Sequence, residues 1–236
     1  NAVSEAVPDD MKPKVARIVS QAYFALEQPQ KAKKWFDQYS SSGKELSRKD
    51  NYYLGIISYS LEGYLQSIDS FLKVITVEDS LSQSAYFHIA NSYLNLKNKR
   101  KSLENYKSAS QMDFDADIKE EASFNYGKLS FDLNRDIVPF QHYLESYPDS
   151  RRSDEIYSYI ATAYLLSKEY KSAISALERI KHLTPEMEHN FQKALFFRGM
   201  QLFQMGSYGD AISEFNNSLK HSQCNLDLAN LTRFYL

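Results

Sequence analysis

The sequence predicts an all-α solenoid of helix–turn–helix repeats. The 236-residue chain has only 7 glycines and 6 prolines, and it has no alternating Val/Ile/Thr-rich run that would indicate a strand. Apolar residues recur at helical spacing, and a unit of about 35 residues recurs along nearly the whole chain. A period near this length, with two helices in each unit, is typical of a solenoid.

A small residue marks the middle of the first helix in each copy, at intervals of 34 to 38 residues. These residues are Ser20, Gly55, Ala90, Gly127, Ala161 and Gly199. A large residue follows sixteen positions later in the second helix of five copies, at Phe36, Phe71, Tyr106, Leu177 and Phe215. We expect the small residue to let the second helix approach closely and the large residue to fill the space between the helices.

The fourth copy departs from this spacing. Its inner turn, at residues 133–137, is predicted to be shortened. Its second helix, in the stretch PFQHYLESYP, is predicted to lie about three residues early relative to the other copies. Pro139 lies near the start of this helix, where proline is tolerated.

The pattern divides the chain into a leader and a repeat array, residues 13–236. Residues 1–12 are predicted to be a tag scar and N-terminal leader, because the chain opens with Asn1 and Ala2 rather than methionine. The six copies span residues 13–46, 48–81, 83–116, 120–153, 154–187 and 192–225, and residues 226–236 begin a seventh. Since the last segment stops within a helical pattern, we expect the chain to be a fragment of a longer repeat protein.

The residue types of the fifth copy complete the pattern. They are Tyr157, Ile160, Ala161, Tyr164, Ala173, Leu177 and Pro185. This order of bulky, small, tyrosine, alanine, large and proline residues resembles the tetratricopeptide repeat family. The resemblance covers nearly the whole chain and implies a right-handed α-α superhelix.

A narrower resemblance concerns the stretch Tyr-Pro-Asp-Ser at residues 147–150. It is similar to the repeats of bacterial periplasmic and outer-membrane-associated proteins, such as outer-membrane assembly lipoproteins and Tol-Pal coordinators. This resemblance implies a periplasmic or outer-membrane-associated location rather than a cytoplasmic one.

Composition and motifs argue against catalysis, cofactors and nucleic acid. The net charge of -2 gives no general attraction to nucleic acid, and the basic cluster at residues 97–101 is interpreted as a solvated turn. A single cysteine, Cys224, excludes a disulfide within the chain and a cysteine zinc site. The five histidines lack metal-ligand spacing and are expected to be surface residues or satisfied helix residues. No apolar run is long enough for a membrane span. The sequence therefore predicts no enzyme activity, no cofactor and no metal.

The family resemblance implies a concave groove lined by the first helices, which binds a protein or peptide. The partner-binding positions mapped in this way are Tyr52, Tyr59, Phe87, Asn91, Phe124, Lys128, Phe131, Phe196 and Phe203. Aromatic residues would bury a peptide's side chains, while Asn91 and Lys128 would hold its backbone or a carboxylate. The same aromatic residues would equally serve to pack adjacent first helices, and the sequence leaves both roles open.

The predicted function is therefore a non-enzymatic protein-protein interaction scaffold. The alternative is a helical accessory arm of an enzyme whose catalytic domain lies outside this chain. RNA binding by an array of the pentatricopeptide kind is disfavoured by the net charge and by the Gly/Ala positions. The sequence makes no prediction of the oligomeric state or of the partner's identity.

Overall fold

The computed structural model describes residues 8–43 and 45–236, and every regular element in them is helical. The prediction of an all-α chain is confirmed. The predicted leader falls largely on residues 1–7, outside the described residues. The chain forms two compact units, one ending at Leu129 and the other beginning at Ser130.

The first unit is built from three helical hairpins. Its helices are α1 Lys12–Ala25, α2 Pro29–Ser40, α3 Arg48–Ser60, α4 Tyr64–Leu72, α5 Ser80–Asn95 and α6 Lys99–Ser110; α7, Ala116–Asn134, begins in this unit and ends in the second. Within each hairpin the two helices pack together, and the first helices α3 and α5 also contact each other. Each hairpin therefore has both an internal partner and a sequence neighbour to cover its apolar faces.

The second unit continues the alternation. Its helices are α8 Val138–Ser146, α9 Ser153–Leu166, α10 Tyr170–Leu177, α11 Pro185–Gln204, α12 Tyr208–Leu219 and α13 Leu226–Tyr235. The pairs α9/α10 and α11/α12 form hairpins, and α13 packs against the last of them. Helix α11 begins at Pro185, although the pattern starts the sixth copy at residue 192. The Thr184 hydroxyl caps the helix by accepting a hydrogen bond from the Met187 N–H.

The small and large residues of each hairpin fit together as expected. A Cβ atom on Gly55 would lie 2.7 Å from the Phe71 ring, and one on Gly199 would lie 2.6 Å from the Phe215 ring. Only glycine allows these rings to pack so close to the first helix. The five predicted large residues have between 0% and 1% of their surface exposed. Their predicted role in closing the hairpins is confirmed.

Buried serines join the two helices of the first three hairpins at the same place. In the first hairpin the Ser20 hydroxyl, on the first helix, donates to the Ala32 carbonyl oxygen at 2.7 Å. In the next two the serine lies on the second helix instead: Ser67 donates to Gly55 at 3.0 Å and Ser102 to Ala90 at 2.8 Å. In each hairpin a single serine hydroxyl therefore satisfies a carbonyl oxygen of the facing helix, and the serine can be on either helix.

The inner turns share one length, and each contains one residue with a positive φ. Three residues separate the two helices in every hairpin, from Ala25 to Pro29 in the first and from Gln204 to Tyr208 in the last. The positive φ belongs to the middle residue in five turns and to the first residue, Arg135, in the fourth; the middle residues are Glu27, Glu62, Lys97, Lys168 and Gly206. In those five turns the following N–H donates to a carbonyl five residues back in the first helix, as in a Schellman motif, whereas in the fourth Asp136 donates to Ser130, six residues back.

The fourth copy corrects two sequence predictions. Its turn is also three residues long, from Asn134 to Val138, so the shortened turn is wrong. The fully buried Tyr143 lies sixteen positions after Gly127, the same spacing as in the other copies, so the second helix is not early. Phe140 is also fully buried and lies one turn before Tyr143 on the same face. The sequence alone could not show whether Phe140 or Tyr143 occupies the position of the large residue.

Candidate functional site

Three of the predicted partner-binding residues lie together around His88 in the first unit. Tyr52 and Tyr59 on α3 have ring centroids 6.4 and 5.8 Å from that of His88, and Phe87 on α5 lies 5.9 Å away. The Tyr52 hydroxyl also lies 2.7 Å from the Ser84 hydroxyl, which links α3 to α5. All three aromatic side chains are partly exposed. They therefore both pack the first helices and present ring surface to solvent.

His88 is partly buried among aromatic rings and is uncharged at neutral pH. Its imidazole stacks on Phe71 with centroids 5.3 Å apart and an interplanar angle of 9°. Its Nδ1 atom is buried and has no hydrogen-bond partner. Burial lowers the pKa of His88 to about 4, because the charged form would lose its hydration. The expectation of a surface or satisfied histidine holds for His88 only in part, because the residue is partly exposed but its Nδ1 atom is buried without a partner.

Asn91 is held in one orientation by a buried tyrosine. The Tyr106 hydroxyl donates a hydrogen bond to Asn91 Oδ1. Burial raises the pKa of Tyr106, and nearby Tyr59 and Glu121 raise it further, so the hydroxyl remains a donor. With Oδ1 occupied, the Asn91 Nδ2 group makes no hydrogen bond to the residues that the structure describes. Asn91 is partly exposed, so it offers its amide protons to an acceptor from outside.

Phe124 and Lys128 lie one turn apart on α7. Phe124 is buried, and the Lys128 ammonium lies 5.2 Å from the centroid of its ring. This distance is typical of a cation–π contact. Lys128 is therefore a cation at the edge of an aromatic surface, whereas Phe124 belongs to the core.

The remaining predicted residues lie in the second unit. Phe131 and Phe196 are buried, Phe131 against Tyr159 at 5.1 Å and Phe196 against Phe197 at 5.3 Å. Phe203 is 40% exposed. Phe196 and Phe203 both contact Tyr235, whereas Phe131 packs elsewhere in the unit. Phe124, Phe131 and Phe196 pack the interior, while the first unit presents the larger set of partly exposed side chains.

A set of polar residues, seven positions before the small residue of their copy, was not recognised in the sequence. Each joins the loop that follows its own hairpin: Arg48, Gln83, Asp154 and Gln192. Fully buried Gln83 is the most complete case. Its Nε2 donates to the Met112 carbonyl oxygen at 2.7 Å, and its Oε1 accepts from the Asp115 N–H at 2.7 Å. Because the residue type differs between copies, no repeated letter marks this position.

Metal ligands, the single cysteine and membrane spans were the other features considered in the sequence. No group of three or more His, Cys, Asp or Glu side chains in residues 8–43 and 45–236 is placed to hold a metal ion. The Cys224 sulfur lies 3.5 Å from Glu188 Oε2, and burial raises the pKa of its thiol. None of the helices within those residues is long and apolar enough to cross a membrane.

Comparison with known proteins places one hairpin in a family. Residues 83–115, on α5 and α6, match the tetratricopeptide repeat family. No curated protein matches the sequence.

Solved structures show a similar fold over most of the chain. The C-terminal part of a TPR repeat-containing protein from Cytophaga hutchinsonii is 15% identical, with a TM-score of 0.55, over 92% of this chain and 86% of that one. YrrB, a TPR protein with an unusual peptide-binding site, is 15% identical, with a TM-score of 0.54, over 75% and 87%. The ArsTM double mutant of MamA RS-1 is 18% identical, with a TM-score of 0.54, over 73% and 93%. The hairpin at residues 83–115 is therefore a tetratricopeptide repeat, and the chain has the all-α helical-repeat fold of tetratricopeptide repeat proteins.

Proposed function

We propose that this protein is a non-enzymatic scaffold that binds an extended segment of a partner protein on the first helices of its first unit. Tetratricopeptide repeats bind proteins or peptides, which supports the general role. The observation that carries the proposal is the Asn91 side chain, which Tyr106 orients while its Nδ2 has no internal acceptor.

The surroundings of Asn91 suit a peptide backbone. Phe87 packs against Tyr106, the residue that orients Asn91, and Tyr59 packs against His88; both rings are partly exposed and offer surface to an apolar side chain. A carbonyl oxygen of the bound segment would accept from Asn91 Nδ2, which satisfies both groups without a charge. Lys128, on α7 of the same unit, adds a cation for a carboxylate of the segment. Aromatic anchors with one oriented polar group are typical of peptide grooves.

Peptide selection followed by affinity measurement tests this proposal. Peptides would be selected from a random display library on the immobilised protein, and their Kd measured by fluorescence anisotropy. We expect Asn91→Ala to weaken binding about tenfold, the size of one lost hydrogen bond to a desolvated partner. Tyr106→Phe should weaken binding as well, because it frees the Asn91 amide to rotate. Asn105→Ala on α6, the same change on a second helix, is the matched control.

Two results would contradict the proposal. One is a library selection in which none of the selected peptides binds to the first unit. The other is an equal Kd for the unchanged protein and Asn91→Ala, with circular dichroism showing that both are folded.

The location and the extent of the protein are part of the same proposal. The Tyr-Pro-Asp-Ser stretch at residues 147–150 supports a periplasmic or outer-membrane-associated location. The proposal further holds that this chain is part of a longer repeat protein. Cell fractionation with an antibody to the chain tests both statements, because it gives the compartment and the full mass together. A cytoplasmic protein of about 27.3 kDa would contradict them.

A further inference from the structure

A second surface lies in the second unit, where α8, α9 and α10 surround a groove of about 440 Å³. Its floor is apolar and consists of Leu144 from α8, Ile160 from α9 and Ala176 from α10. Ile160 and Ala176 are buried and Leu144 is partly buried, so the floor is formed by packed side chains. Two of the three helices are second helices of their hairpins, which separates this groove from the face proposed above.

The only charged residues that line the groove are two cations. Lys171 and Arg179 are both exposed, and neither makes a hydrogen bond or ion pair through its side chain with the described residues. The carboxylates nearest in the sequence, Glu145 and Glu178, do not line the groove, and neither forms an ion pair with Lys171 or Arg179. Glu145 lies 3.3 Å from His142 Nδ1 instead. The groove therefore has a positive rim with no internal counter-charge.

Hydroxyl groups complete the rim. Tyr157 and Tyr164 on α9, with Ser172 and Ser175 on α10, line the groove, and none of these hydroxyls is hydrogen-bonded to another described residue. Such groups bind the amides and carbonyls of a peptide backbone. Two cations, a row of hydroxyls and an apolar floor together match a peptide that has both acidic and apolar side chains.

The spacing of the cations indicates the form of the peptide. Lys171 lies in α10 and Arg179 lies two residues after its end, where the N–H groups of Glu178 and Arg179 donate to the carbonyls of Ile174 and Ala176 and continue the helical turn. The eight positions between the two cations therefore correspond to about 12 Å along the helix axis. In an extended chain, side chains four positions apart lie on one face and are separated by about 13 Å. The side chain midway between them lies on the same face and would contact the floor. We infer that this groove binds an extended acidic segment with the pattern acidic–x–apolar–x–acidic.

A nitrogen–proton NMR titration of the whole chain tests the inference. The probe is the blocked peptide Glu-Ser-Phe-Ser-Glu, with Gln-Ser-Phe-Ser-Gln as its neutral counterpart. We expect the acidic peptide to shift amide signals of residues 141–179, with a Kd that rises with salt. Lys171→Gln and Arg179→Gln should each raise the Kd of the acidic peptide at least fivefold. The neutral peptide should bind the unchanged protein as weakly as the acidic peptide binds these variants. Lys193→Gln, an exposed cation on α11, should leave the Kd unchanged.

Several outcomes would overturn the inference. One is an acidic peptide that leaves these amides unshifted at 5 mM, and another is a loss of affinity in Lys193→Gln as large as that in the groove variants. Inorganic phosphate giving the same shifts and the same dependence on Lys171 would indicate a site for single anions instead. Shifts confined to α3 and α5 would assign the peptide to the first unit, which separates this test from that of the proposed function.

Discussion

The environment of His88 in the folded chain could not be predicted from its residue type. Its neighbours in the folded chain come from α3, α4 and α5, so its burial depends on contacts distant in the sequence. Asn91 is similar, because its orientation depends on Tyr106 fifteen positions away. The family resemblance predicted that Tyr52, Phe87 and Asn91 lie on the first helices, but it could not show which of their atoms are hydrogen-bonded within the chain.

Acid should destabilise the protein through His88. The pKa of this residue is lowered to about 4 in the folded protein, against an ordinary value of 6.5. Between pH 6.5 and about pH 4, His88 binds a proton in the unfolded chain but not in the folded chain. The stability from burying neutral imidazole is therefore full above pH 6.5 and is lost progressively down to about pH 4. The loss is about 3 kcal/mol at most.

Urea unfolding at pH 7, 5.5 and 4.5 measures this effect. His88→Phe should remove the His88 share of the loss, because a phenyl ring fits the aromatic surroundings and takes up no proton. His182→Gln, at an exposed histidine, should follow the unchanged protein. Parallel curves for His88→Phe and the unchanged protein would contradict the assignment.

At the scale of the element, the inner turn is the most regular part of the structure. Five turns have a non-glycine residue with φ between 56° and 62°, and only the sixth has glycine at this place, Gly206, with φ of 78°. A left-handed conformation costs a residue with a Cβ atom about 1 kcal/mol. The sequence did not predict the shared conformation, because Glu, Lys and Arg carry no turn signal.

Exchanging residues between two turns tests the cost of this conformation. Lys168→Gly should raise the free energy of unfolding by about 0.5–1 kcal/mol, because glycine adopts the positive φ without strain. Gly206→Lys should lower it by a similar amount, since no atom lies within 4 Å of an added Cβ and strain alone remains. Lys168→Ala keeps the strain and serves as the control. Urea midpoints give all three values, and a stabilising Gly206→Lys would refute the argument.

At the scale of the whole molecule, contacts join elements that are near in the sequence. This locality explains why so much of the fold was predictable from the sequence. The positions of Gly55 and Phe71, repeated at a fixed interval, determine how each hairpin closes. The fourth copy was misread because Phe140 and Tyr143 both meet the pattern. The candidate sites were less predictable, because they depend on which polar atoms the fold leaves unsatisfied.

Local contacts also predict unfolding in stages. Phe215→Ala should lower the stability of the second unit by about 4 kcal/mol, because it empties the space between α11 and α12. The single tryptophan, Trp35 on α2, reports on the first hairpin. We expect the circular dichroism transition in urea to begin earlier, while the Trp35 fluorescence transition moves little.

Phe36→Ala is the matched variant in the first hairpin. It should move the Trp35 fluorescence transition to lower urea concentration. Coincident transitions by both probes in both variants would mean that the chain unfolds as one cooperative block.

The Gln83 amide has a consequence for how the chain tolerates mutation. It bonds only to backbone atoms, namely the carbonyl of Ala109 at the end of α6 and, in the loop that follows, the carbonyls of Met112 and Asp115 and the N–H of Asp115. Such bonds depend on where the backbone runs and not on which side chains it carries. Exposed residues of this loop can therefore be substituted, whereas an insertion or deletion would leave the buried Gln83 amide without hydrogen-bond partners. A randomised library of the loop should return many sequences of a single length.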